Sequence, residues 1–113
     1  MKLQALYSKL FPMINLKQLQ KEIYQNKIDK GFNVMDIHKE FCFIHEEVAE
    51  ANRAYYKKLP DIGEELADVV IYLLGLAEIL HIDLEKELLA KIEKNKKRQY
   101  EKVDGVLKRI END

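Results

Sequence analysis

Gly63-Glu64-Glu65-Leu66-Ala67-Asp68-Val69-Val70-Ile71-Tyr72-Leu73-Leu74-Gly75-Leu76-Ala77 is the stretch on which the fold turns. Leu66, Val69, Val70, Leu73, Leu74, Ala77 and, just beyond, Leu80 recur at the three- and four-residue spacing of a helix. They cover so much of the circumference that this helix must be central in a bundle or shared with another chain. Asp61 reads as its N-cap, with Glu64 at the matching box position.

The same punctuation frames the chain on either side. Upstream, Asp36 caps a helix whose stripe of Ile37, Phe41, Ile44, Val48 and Ala51 runs to about Lys57, where Leu59-Pro60 breaks it. Further upstream, Asn15 and Gln18 form a capping box for a helix over 16–30, with Leu16, Leu19, Ile23, Tyr24 and Ile28 on one face. Lys27 and Lys30 suit the negative end of that helix, and Gly31 is its left-handed stop. Downstream, Asp83 caps a fourth helix with Leu84, Leu88, Leu89 and Ile92 inward, polar after Ile92. Residues 2–10 read as a short helix ended by Pro12, and the tail from Asp104 to Asp113 as a helical turn or two, or frayed. No strand, repeat or low-complexity segment is expected. The fold class is therefore all-α, an antiparallel bundle of about four main helices joined by short loops. It forms a single domain over 1–113 with its core at about 16–100, and its surplus of apolar surface predicts a homo-oligomer.

Composition narrows the function. Lysine plus arginine is 19 and aspartate plus glutamate 20, a net charge of −1. No global positive field is available to hold nucleic acid. With 47% hydrophobic and 35% charged residues the chain is too apolar to be disordered. Its longest apolar run, Val69 to Ala77, is too short for a membrane span. The one cysteine, Cys42, excludes an intramolecular disulfide and suits a reducing compartment. With no signal peptide in the opening residues, the expected location is cytoplasmic. Cys42 itself reads as a small core residue rather than a nucleophile, because no base motif adjoins it.

The informative residues are acidic. His45-Glu46-Glu47-Val48-Ala49-Glu50 lies on the second helix and Glu64-Glu65-Leu66-Ala67-Asp68 on the third. Glu47 and Glu50 are three apart and share a helix face, and Glu65 and Asp68 repeat the spacing. Both pairs sit beside apolar positions, so they point toward the groove between the helices. Dipole and cap roles account in part for acids near a helix start. Two pairs of equal spacing on adjacent helices are harder to explain that way. Four facing carboxylates repel unless something positive lies between them. A divalent cation is the simplest answer, and an all-oxygen site favours Mg²⁺ or Mn²⁺ over Zn²⁺. Magnesium commonly bridges phosphate oxygens, so a phosphorylated substrate is implied.

With these residues in place the chain resembles the MazG-like nucleotide pyrophosphohydrolases, members of the all-α NTP pyrophosphatase superfamily. Glu46-Glu47-Val48-Ala49-Glu50 followed by Glu65-Leu66-Ala67-Asp68 is similar to their EExxE…ExxD pattern. Lys30-Gly31-Phe32-Asn33, Ile82-Asp83-Leu84 and Lys91-Ile92-Glu93-Lys94-Asn95-Lys96-Lys97-Arg98 extend the resemblance over about residues 16–100. It implies that Glu47, Glu50, Glu65 and Asp68 hold Mg²⁺. It further implies that Glu46 orients or deprotonates a water, and that a nucleoside triphosphate (NTP or dNTP, ordinary or damaged) is cleaved to monophosphate and pyrophosphate. Lys91, Lys94, Asn95 and Arg98 share one face of the fourth helix and are candidates to grip phosphate oxygens. Tyr72, one turn beyond Asp68, is a candidate for a phosphate or sugar contact. His38 is a candidate for a base contact. Relatives often place tryptophan against the base. This chain has none, and Phe32, Phe41, Tyr55 and Tyr56 are the substitutes on offer, with Phe41 better suited to the core. The short link from Tyr55 to Asp61 leaves little room for a specificity loop.

Two alternatives remain: a phosphoribosyl-ATP pyrophosphohydrolase-like enzyme, and a non-catalytic helical oligomerisation module. A di-iron bundle requires two Glu-x-x-His motifs, and only Glu78-Ile79-Leu80-His81 occurs, at a helix end.

Overall fold

The computed structural model describes residues 13–111. Its elements in order are α1 (Leu16–Lys30), α2 (Ile37–Tyr56), α3 (Ile62–Ile79), α4 (Leu84–Lys97), β1 (Gln99–Val103) and β2 (Val106–Ile110). The expected short helix over 2–10 and its stop at Pro12 lie outside the described residues.

Three of the four expected N-caps form. The side chains of Asn15, Asp36 and Asp83 accept from the backbone N–H of Gln18, Lys39 and Lys86. Each satisfies one donor left unpaired in a first helical turn. The box at Asn15 is only half made, because the Gln18 amide bonds Glu22 instead. Asp61 makes no side-chain cap bond. Gly31 adopts φ 73°, and the N–H groups of Gly31 and Phe32 return to Ile28 and Lys27 carbonyls, closing α1.

α3 is the central element, packed on α2 along one side and α1 along the other. Leu74, Leu76 and Ala77 are buried with Ile44, Ala51 and Ala54 of α2. A Cβ at Gly75 would meet Ile23 Cγ2 at 3.3 Å and Lys27 Cδ at 3.4 Å. The missing side chain there lets α1 lie close on α3. Gln20, only 1% exposed, ties α1 to the turn between α3 and α4. Its amide donates to Glu78 Oε1 and to the Ile82 carbonyl, and its Oε1 accepts from Leu84 N–H, the first residue of α4.

Four expectations are corrected. The chain is not purely α: β1 and β2 form an antiparallel hairpin in the register Val103↔Val106 to Gln99↔Ile110. Asp104 and Gly105 have φ of 54° and 77°, the two positive values a two-residue type I′ turn requires. α4 contains no buried residue. Leu88, Leu89 and Ile92 are exposed rather than inward, because among the described helices α4 leans mainly on α1. Phe41 is half-exposed and is not a core residue. Cys42 is exposed, since it follows Phe41 on the outer side of α2. The Cα radius of gyration, 18.2 Å, exceeds the roughly 13 Å of a compact domain this long, as expected when α4 and the hairpin project from the three-helix body.

No helix among the described residues is long and apolar enough to cross a membrane.

Candidate active site

The turn between α2 and α3 is short, so the two helices run antiparallel. That brings the later part of α2 against the early part of α3. Glu47 of α2 and Glu65 and Asp68 of α3 each offer a carboxylate oxygen, and the three atoms lie within 4.8 Å of one another. Glu47 Oε2 and Glu65 Oε2 are buried and accept no hydrogen bond, and Asp61 Oδ1 beside them is in the same condition. A carboxylate oxygen removed from water without a donor is costly. The Glu47 and Glu65 oxygens, with an Asp68 oxygen at this separation, fit a single hard cation, which satisfies them and supplies the opposite charge.

The electrostatics carry the same imprint. The Glu47 carboxyl is pushed above its usual range, first by burial and then by Glu50, Asp68, Glu65 and Glu46. Glu65 is pushed up by burial, then by Glu50, Asp61 and Asp68, with a hydrogen bond shared with Glu50 adding to it. Glu50 thus faces the cluster electrically, although it stands outside the three-residue group. Glu46 is exposed, and its charge acts on both Glu47 and Tyr72.

Tyr72 stands one turn after Asp68. Its ring is 6.1 Å from that of Phe43. Burial raises its hydroxyl pKa, followed by Glu47, Glu40, Asp68 and Glu46. Phe43 in turn stands one turn before Glu47, so the groove runs from the acids onto two aromatic rings.

The basic residues gather elsewhere. Lys94 and Arg98 line an open cavity of about 440 Å³ together with Lys97, Arg109, Ile110 and Glu111. Lys91 belongs to the same field: its pKa is lowered by Arg98 first, then by burial, Lys94 and Arg109. Asn95 is one residue from this group, and its carbonyl accepts from Arg98 N–H. α4 is not packed along the acid-bearing groove of α2 and α3. One chain therefore presents two separate charged surfaces. His38 is exposed in the first turn of α2 and takes no part in the acidic cluster. Tyr55 and Tyr56 are exposed beyond the end of the groove.

Sequence reasoning missed two groups. Arg109 joins the basic cluster through the hairpin, and the Asp104-Gly105 turn was the readable sign of that hairpin. Lys27, Asn33 and Glu40 form a buried polar cluster beside Tyr72. No periodicity marks it, because its members come from a helix end, a loop and the next helix.

A family model described as the MazG-like family matches residues 33–112. Among solved structures, a cyanophage S-2L MazG-like pyrophosphohydrolase bound to dGDP and three catalytic Mn²⁺ ions per active site is similar at 25% identity and a TM-score of 0.66. The match covers 88% of this chain and 100% of that one. No curated protein matches the chain.

Proposed function

Because the chain belongs to the MazG-like family, we propose that it is a metal-dependent nucleoside triphosphate pyrophosphohydrolase. It cleaves the α–β phosphoanhydride bond of NTPs or dNTPs, damaged ones included, to monophosphate and pyrophosphate. The observation that carries this reading is the trio of Glu47, Glu65 and Asp68 oxygens within 4.8 Å, two of the three residues having a buried oxygen with no donor.

Glu47, Glu50, Glu65 and Asp68 would hold Mg²⁺, with Mn²⁺ as a substitute. When bound, the metal neutralises the triphosphate and acidifies a coordinated water. The chain supplies the rest. Glu46, exposed beside Glu47, accepts a proton from the attacking water. Tyr72 closes the groove toward the nucleoside. Lys91, Lys94, Asn95 and Arg98, with Arg109, hold the outgoing phosphates by charge-assisted hydrogen bonds.

In a single chain that basic field and the acidic groove are on different surfaces, so the complete site calls for a homo-oligomer. Supporting this are the apolar faces left open: Leu88, Leu89 and Ile92 on α4, and Leu66, Val70 and Leu73 on α3. A free-standing two-stranded hairpin is marginal in water, and β1 and β2 are exposed throughout. A partner copy would cover them. The exposed thiol of Cys42 suits a reducing, cytoplasmic setting, and the balanced charge suits neither nucleic acid nor a membrane surface.

The test is pyrophosphate release from a panel of NTPs and dNTPs, with Mg²⁺ and with EDTA. Metal-dependent release with a monophosphate product is expected. Turnover only of phosphoribosyl-ATP would move the substrate. No turnover of any of them would return the chain to a helical oligomerisation module.

A further inference from the structure

Lys27 is 7% exposed and Glu40 1% exposed. Lys27 Nζ donates to Glu40 Oε1 at 2.6 Å. The other Glu40 oxygen accepts from the Asn33 amide at 2.9 Å. That amide also donates to the Asp36 carbonyl, while Asn33 Oδ1 accepts from the N–H groups of Met35 and Asp36. Asn33 is fully used in folding the loop onto Glu40, and both Glu40 oxygens are engaged. Lys27 is different. A lysine head has three N–H donors, and among the described residues Glu40 alone accepts from it. Its next neighbour is the face of Tyr72, 5.4 Å to the centroid.

Lys27, with its head over Tyr72, borders a hollow. Lys27 lines a cavity of about 220 Å³ with Phe32, Asn33, Lys39, Glu40, Phe43 and Tyr72. It also lines an adjoining one of about 100 Å³ that shares Phe32 and Tyr72. Phe32, Phe43 and Tyr72 give the walls aromatic faces; Lys27 and the Tyr72 hydroxyl border both lobes with unused donors, and Lys27 is the charged one. Phe43 and Tyr72 are each one helical turn, ~5–6 Å, from Glu47 and Asp68. A sugar spans about that distance between a phosphate held at the acids and a ring held in the cavity.

We infer that this cavity takes the purine base of the nucleotide, and that Lys27 Nζ donates to the carbonyl oxygen of a 6-oxo purine, selecting guanine and hypoxanthine over adenine. Adenine places an amino group where the carbonyl would be. Two donors would then face one another, and Lys27 would gain no acceptor from the base. Glu40 is a positioning residue: it keeps the lysine head at the wall without touching the base. The two lobes suit a bicyclic ring, and Phe32, Phe43 and Tyr72 offer it flat faces. This inference rests on the triphosphate reading above and names the substrate class of that same site.

ITP and ATP have the same size and differ at this one edge, so they give the sharpest comparison, with GTP alongside. The expected kcat/KM for ITP and GTP exceeds that for ATP by roughly 10- to 100-fold, as for a hydrogen bond to a charged group. In the Lys27→Met/Glu40→Leu double variant, folded by circular dichroism, the ITP/ATP ratio falls to within about threefold of one, the loss lying mainly in KM for ITP. A wild-type ratio near one, or an unchanged ratio in the double variant, overturns the inference while leaving the hydrolase reading intact. Binding of IMP against AMP to the wild-type oligomer reads the same preference without turnover or variants. Tighter IMP binding supports the pocket even if no triphosphate is cleaved, and equal binding overturns it even if the double variant fails to fold.

Discussion

Replacing Lys27 alone by methionine is the most demanding test of the buried pair. Methionine, one atom shorter, keeps an apolar stem as far as the position that rests on Gly75, so packing between α1 and α3 is largely preserved. What is lost is the charge opposite Glu40, whose side chain is 1% exposed. Glu40 is left with Asn33 as its partner. Breaking a buried pair by removing one member costs about 3–5 kcal/mol, because the other charge stays behind. Against a total stability of roughly 5–15 kcal/mol that is a large share. It corresponds to a fall in Tm of about 15–30 °C for a domain of this size. Removing both charges in Lys27→Met/Glu40→Leu leaves no unpaired buried charge, only one Asn33 N–H without its acceptor, and should recover most of the loss. Thermal and urea unfolding of the wild type, both single variants and the double variant, at one protein concentration, close the cycle. Were water to reach Glu40 through the adjoining cavity, its charge would remain solvated. The single variant would then lie within about 1 kcal/mol of wild type. That result, or a double variant no more stable than Lys27→Met, would refute the reasoning.

The remaining expectations concern the charged surfaces. Glu47→Gln and Asp68→Asn should each abolish turnover while the far-UV circular dichroism stays unchanged; undiminished turnover in both removes the metal assignment. Glu47 and Glu65 both sit above the usual carboxylate value of 4.5. The folded metal-free protein therefore keeps protons that the unfolded chain has released. Their penalty is absent below pH 4.5 and grows as pH rises through the raised values. With EDTA present, Glu47→Gln should raise Tm more at pH 7 than at pH 5. Millimolar Mn²⁺ should stabilise the wild type more at pH 7 than at pH 5, and the opposite order would sink the argument. Arg98→Ala and Arg109→Ala should each raise KM for triphosphate by roughly tenfold with a smaller effect on kcat; equal kinetic constants in both variants would remove the phosphate role of that cluster.

The helices were legible because their signals are local. Asn15, Asp36 and Asp83 cap as their positions imply, and the acids at Glu47, Glu65 and Asp68 meet because three-residue spacing fixes their faces. Asp61 shows the limit of such reading. The box pattern is present, yet the side chain makes no cap bond and its Oδ1 is buried next to the acidic cluster without a partner. The hairpin was missed because its strands are exposed on both faces, so no alternation of apolar and polar residues marks them. Leu88, Leu89 and Ile92 have the periodicity of a buried face but stay exposed among the described residues. Periodicity tells which residues share a face and is silent on which chain covers it. Lys27 illustrates the converse. A lysine in a last helical turn reads as a solvated dipole partner, and only the return of the chain through Asn33 to Glu40 turns it inward.

Gln20 has a consequence in mechanics. Its one amide group holds the root of α4 through Leu84 and Ile82, with a bond from Leu16 N–H to Glu85 as the second fastening. Counted from this root, and among the described residues, the 14 residues of α4 extend as a cantilever roughly 21 Å long. A tilt of roughly 10° at the root swings the far end, where Arg98 sits, through roughly 4 Å at that length. That travel is the difference between gripping a phosphate oxygen and missing it. A side chain remote from both charged surfaces therefore sets the aim of one of them.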